Sequence, residues 1–116
     1  IQYASSYAWS DETHCISNRA MYKKKFEEVD KILAKYLTYP KPEASFYLWP
    51  KTPVDDIRFC KELYQSKNVT VLPGQYMGRT TSAGNPGTNR VRMALVAEVD
   101  ECMEAAGRII DYVEGL

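Results

Sequence analysis

Arg90 and Arg92 stand one residue apart in the segment RVRMALV (90–96). Strand alternation puts both on one face with Ala94, while Val91, Met93 and Leu95 take the other. A guanidinium presents a planar fork of donors that matches a carboxylate oxygen for oxygen, and it stays charged when partly desolvated. Held in register on a strand, Arg92 is therefore a candidate carboxylate-binding residue. The plain alternative is a strand arginine paired with an Asp or Glu of its own chain, and periodicity does not separate the two. Arg79, in the loop before that strand, reads either as a surface cation or as a contact to the far end of a substrate.

Other candidate chemistry is thinner. The loop PGQYMGRTTSAGNPG (73–87) is rich in glycine but lacks the Gly-Lys-Ser/Thr ending of a phosphate-binding loop, so it reads as a connection. His14 and Cys15 could suggest a base and a nucleophile, but neighbours on a helix point about 100° apart, which argues against a dyad. Cys15, Cys60 and Cys102 are far apart and unaccompanied by further histidines, so no metal site is expected. Cys60 and Cys102 fall on apolar stripes and read as inert core thiols. Trp9 and Trp49 read as packing or interface residues. Nothing pairs a nucleophile with a base or brings two carboxylates to one site, so the chain alone should not be an enzyme.

The elements that would position these residues follow from period and punctuation. Cys15, Tyr22, Phe26, Val29, Leu33 and Tyr36 trace one face of a long helix over 10–37, with Ser10 as its cap and Pro40 and Pro42 beyond its end. Its other face carries Lys23, Lys24, Glu27, Glu28 and Lys31, with Glu27–Lys31 as a favourable pair. Residues 44–50 read as a short aromatic strand. Thr52 as cap and Pro53 in first position start a second helix, whose inner stripe would be Ile57, Cys60 and Leu63 or Tyr64. A second strand over 68–74 and a third over 90–96 precede a last helix with Val99, Cys102, Met103, Ala106, Ile109, Ile110 and Val113 on one side. The expectation is a small α/β sandwich: a long N-terminal helix and a three-stranded, mostly antiparallel sheet with helices on one face. The arginine face of the sheet is then free to meet water, a ligand or another domain.

With 116 residues the chain has the size of one domain. Fifteen cationic and fifteen acidic side chains cancel, which argues against a nucleic-acid or anionic-membrane surface. No apolar run is long enough for a membrane span, and the unpaired cysteines fit a reducing, cytoplasmic setting. The first residue is Ile1 rather than methionine, which reads as a processed chain or a fragment.

Taken together, ASFYLWPKTPVDDIRFCKELYQSKNVTVLPGQYMGR (44–79) and NPGTNRVRMALVAEVDECMEAAGRI (85–109) resemble the C-terminal end of class I/II pyridoxal-phosphate aminotransferases. The resemblance runs from about Gln2 to Ile110, and LWP, VLPGQYMGR and NPGTNRVRMALVA are most similar to its succinyldiaminopimelate branch. It implies the family's small domain over 1–116, with 1–37 as the segment and long helix arriving from the large domain. By the same resemblance Arg92 grips the substrate's α-carboxylate, Arg79 is a speculative contact, and Arg90 has no family role. The implied cofactor is pyridoxal 5'-phosphate in the full-length protein, with none bound to this fragment, because the Schiff-base lysine belongs to the large domain. Implied partners are amino-acid and 2-oxo-acid substrates, N-succinyl-diaminopimelate and 2-oxoglutarate, the chain's own large domain, and a second subunit in a homodimer. Two other readings stay open: the sensing half of an aminotransferase-like transcription regulator, and an independent small-ligand domain.

Overall fold

The computed structural model describes residues 1–116. Its elements run α1 (Gln2–Ser10), α2 (Thr13–Leu33), β1 (Tyr47–Leu48), α3 (Asp56–Lys67), β2 (Leu72–Pro73), a 3₁₀ turn (Gly74–Tyr76), β3 (Val91–Ala94) and α4 (Val99–Glu114). The sheet order is β1-β3-β2, so the last strand in sequence is the central one. Both pairings are antiparallel, with Tyr47 opposite Ala94 and Leu72 opposite Arg92. This is the expected α/β class. No helix is long and apolar enough to cross a membrane.

The alternation of β3 holds. Val91, Met93 and Leu95 are buried against the helices, whereas Arg92 is half-buried and Ala94 and Val96 are exposed on the other face. The core is one cluster in which α2 contributes Val29 and Leu33, α3 contributes Phe59 and Leu63, and α4 contributes Cys102, Ala106, Ile109, Ile110 and Tyr112. Phe59 is wholly enclosed and meets the Tyr112 ring edge-on, with centroids 5.2 Å apart.

Five local expectations need correction. Ser10 ends α1 and donates its hydroxyl back to the Ser6 carbonyl at 2.8 Å, so it caps nothing. Asp11 takes the Thr13 N–H instead, and α2 starts there. At the far end the helix tightens after Leu33, which swings Leu37 into the core and leaves Tyr36 outside, bonded to Glu114. Lys31 pairs with Glu28 at 3.0 Å rather than with Glu27. The cap of α3 is Asp55, whose carboxylate accepts the Arg58 N–H, while Thr52 turns its hydroxyl to the Val54 carbonyl. Starting α3 there selects Asp56, Phe59 and Leu63 as the inner stripe, leaves Ile57 and Tyr64 exposed, and half-buries Cys60. Helix α1 has no buried residue, and Tyr3, Tyr7 and Trp9 stand in solvent.

Candidate functional site

The outward face of the sheet centres on Arg92. Its strand is braced on both sides, so the side chain leaves the sheet from a fixed backbone. The guanidinium carbon lies 5.8 Å from the Tyr47 ring centroid, a cation–π arrangement that holds the plane on one side. Arg92 Nε is buried and has no hydrogen-bond partner in the chain. None of the chain's four ion pairs involves Arg92. Within residues 1–116 no Asp or Glu pairs with Arg92. A buried donor without an acceptor costs about 1–3 kcal/mol, more when charged, so such a group points to an acceptor supplied from outside.

Arg90 shares the face and has a partner: its Nη1 donates to the Trp49 carbonyl at 3.1 Å. That bond ties the exit of β1 to the start of β3, a structural task. Arg79 is exposed on the loop over 75–89 and enters none of the ion pairs.

One residue at this end of the molecule escaped the sequence reading. Asp56, the first residue of α3, is fully buried. Its Oδ2 accepts the Gln75 N–H at 3.0 Å, and its Oδ1 accepts the Asn89 N–H at 3.1 Å and the Gln75 side-chain amide at 2.5 Å. Burial alone would raise its pKa, but the donors from Gln75 and Asn89 outweigh it and hold the carboxyl below its usual range. Beside it the two ends of the loop are pressed together. A Cβ on Gly74 would strike the Gly87 carbonyl, and one on Gly87 would strike that of Gly74. Asn85 locks the contact by donating to the Gln75 carbonyl and accepting the Gly87 N–H. The only signal in the sequence was the pair Asp55-Asp56 at a helix start, which any first turn welcomes.

The cysteines divide by surroundings. His14 Nε2 does approach Cys15 Sγ, at 3.4 Å, contrary to the spacing argument, because Asp11 draws the other ring nitrogen sideways at 3.1 Å. The His14 and Asp11 side chains are 52% and 41% exposed, so this relay faces water and has no walls to hold a substrate. Burial pushes the Cys60 thiol up to about 12, helped by Asp56 and Asp55, and burial also raises Cys102. Treated with iodoacetamide at mild pH, the folded chain should lose Cys15 first, with Cys60 and Cys102 reacting only after unfolding. Peptide mapping against time checks that order.

Comparisons with known proteins give the chain its family. A family model for aminotransferase class I and II matches residues 1–109. The chain is 46% identical to an aminotransferase from Neisseria meningitidis Z2491 whose crystal structure superposes with a TM-score of 0.87, covering 91% of this chain and 27% of that one. It is 32% identical to the "probable N-succinyldiaminopimelate aminotransferase" of Thermus thermophilus, TM-score 0.66, covering 83% and 24% respectively. It is 29% identical over 114 residues to the LL-diaminopimelate aminotransferase of Nitratidesulfovibrio vulgaris, covering 94% of this chain and 28% of the relative. The chain thus spans less than a third of the length of each of these proteins. With the family model matching almost every residue, the chain belongs to the class I and II aminotransferases.

Proposed function

We propose that this chain is the small domain of a pyridoxal-phosphate aminotransferase, in which Arg92 binds the α-carboxylate of the substrate. The observation that carries the reading is the buried, unpartnered Nε of Arg92 on the central strand of an outward-facing sheet. Residues 1–37 would lead in from the large domain. The exposed aromatics of α1 and the arginine face are the surfaces such a domain would cover. The working protein would be a homodimer, as the family resemblance implies, in the reducing, cytoplasmic setting that the unpaired cysteines suggest.

When bound in the complete protein, pyridoxal phosphate supplies the electron sink for the chemistry at the substrate's Cα. A guanidinium offers neither the amine that would hold the cofactor's aldehyde nor the acid that would pair with its ring nitrogen. The guanidinium fork suits a carboxylate or a phosphate, and the family resemblance assigns Arg92 the substrate's α-carboxylate. The task of this chain is then to grip and orient. Two N–H groups of Arg92 would meet the two carboxylate oxygens, which fixes the position and plane of that carboxylate. The Tyr47 ring covers one side of the guanidinium. Covering the sheet face with the large domain would exclude water and strengthen the charge pairing.

For substrates, we favour amino transfer from N-succinyl-diaminopimelate to 2-oxoglutarate. Support comes from the likeness to the Thermus protein. The test is steady-state kinetics of the complete protein loaded with pyridoxal phosphate. N-succinyl-diaminopimelate should exceed aspartate and LL-diaminopimelate in kcat/KM by about tenfold or more, the discrimination a site gains from groups that need pairing. Transfer from another donor at a higher rate overturns the substrate. Cofactor binding with no turnover of any amino acid overturns the enzyme and favours a sensing role.

A further inference from the structure

Asp56 ties together the two ends of a long loop. Gln75 and Asn89, whose backbone N–H groups it accepts, bracket the stretch that runs from the 3₁₀ turn to β3. Asn89 has a left-handed backbone, φ +56°, unusual for a residue with a side chain. Its N–H is held by Asp56 at 3.1 Å and its carbonyl by the Thr52 N–H at 2.8 Å. The chain leaves this turn directly into Arg90, whose carbonyl accepts the Gly74 N–H at 2.7 Å, and two residues later reaches Arg92. The start of β3 is thus held by backbone bonds to its neighbours and, from α3, by one carboxylate. Register matters here more than elsewhere, because a slip by one residue would send Arg92 to the core face and Val91 or Met93 outward.

We propose that Asp56 is a positioning residue for Arg92: by clamping Gln75 and Asn89 it sets the register and direction in which Arg92 leaves the sheet. The inference rests on the assignment of Arg92 to the substrate carboxylate. An asparagine in its place keeps the shape but presents an N–H₂ where the carboxylate accepted, so Gln75 or Asn89 would be left facing a donor. The leucines and Phe59 that hold the helices on the sheet are untouched by that change, so the fold has its core without Asp56.

The test is a double-mutant cycle in the complete, cofactor-loaded protein, read as the dissociation constant for 2-oxoglutarate and as KM and kcat separately. Asp56→Asn should weaken 2-oxoglutarate about tenfold, the loss of one hydrogen bond to a charged acceptor, with KM moving more than kcat. In an Arg92→Ala background the same change should cost no more than about twofold, since a residue that acts through Arg92 has nothing left to act on. The cofactor's absorbance should be the same in all four proteins. Equal losses in both backgrounds, or no loss in either, overturn the inference while leaving Arg92 standing. An Arg92→Ala protein that binds 2-oxoglutarate like wild type overturns the assignment of Arg92, and this inference with it. If Asp56→Asn does not accumulate as folded protein, Gln75→Ala goes through the same cycle. Its expected loss is about threefold, one neutral donor being removed, and it too must vanish in the Arg92→Ala background.

Discussion

Arg92→Ala, made in the complete protein, lowers kcat/KM for the amino donor by about thirtyfold or more. The figure follows from about 2–5 kcal/mol for removing one side of a desolvated, hydrogen-bonded charge pair, at about 1.4 kcal/mol per factor of ten. The loss should fall on substrates in proportion to the carboxylate they present, because the substitution removes a grip and not a reacting group. Arg92→Lys is the informative companion. It restores charge but not the fork, and a lysine beside Tyr47 cannot span both carboxylate oxygens, so recovery should be partial. Activity of Arg92→Ala within twofold of wild type would leave the orphaned Nε without an explanation in substrate binding.

Phe59→Ala has the largest expected effect on stability. Its ring has no exposed surface, lies in the one hydrophobic cluster and packs edge-on against Tyr112. Truncating such a residue costs about 3–5 kcal/mol, the lost transfer energy plus the cavity. Against the roughly 5–15 kcal/mol that holds a domain together, that is a large share. The melting temperature should fall by roughly 10 °C or more, at a few degrees per kcal/mol for a domain near this size. Tyr64→Ala, on the same helix but with the side chain mostly in solvent, should stay within about 0.5 kcal/mol. Thermal unfolding of the two variants checks which face of α3 is buried. Comparable losses would mean that the helix is turned differently.

That contrast shows where sequence stops being legible. The faces of β3 could be read directly, since alternation in RVRMALV admits one assignment and the structure adopts it. The face of α3 could not. TPVDD reads with Thr52 as the cap, whereas the fold caps α3 at Asp55 and its inner stripe takes Phe59 in place of Ile57. The choice is settled by what must fill the space beneath the sheet, a tertiary matter. Strands were read longer than they are because β-prone residues continue past the paired positions, while regular ladder pairing is confined to Tyr47–Leu48 and Leu72–Pro73 and only single bonds and bridges continue beyond them. Helix α1 had no signal, as a helix that buries nothing needs no apolar stripe.

The candidate site was legible to the same uneven degree. Arg92 stood out by residue type and by alternation. That its Nε has no partner in the chain could not be read, because pairing across a fold leaves no trace in spacing. Asp56 was invisible for a related reason: its partners lie 19 and 33 residues away, and at the start of a helix it resembled an ordinary first-turn acid.

The central claim is that Arg92 meets a substrate carboxylate, and a crystal structure of the complete protein with 2-oxoglutarate or the amino donor bound tests it most directly. The α-carboxylate should lie across Arg92, with Nε and one terminal nitrogen each about 2.7–2.9 Å from an oxygen, and the Tyr47 ring still against the guanidinium. A carboxylate bound elsewhere, with Arg92 Nε paired to an acid of the remaining chain, would make Arg92 a structural tie between domains and contradict the account.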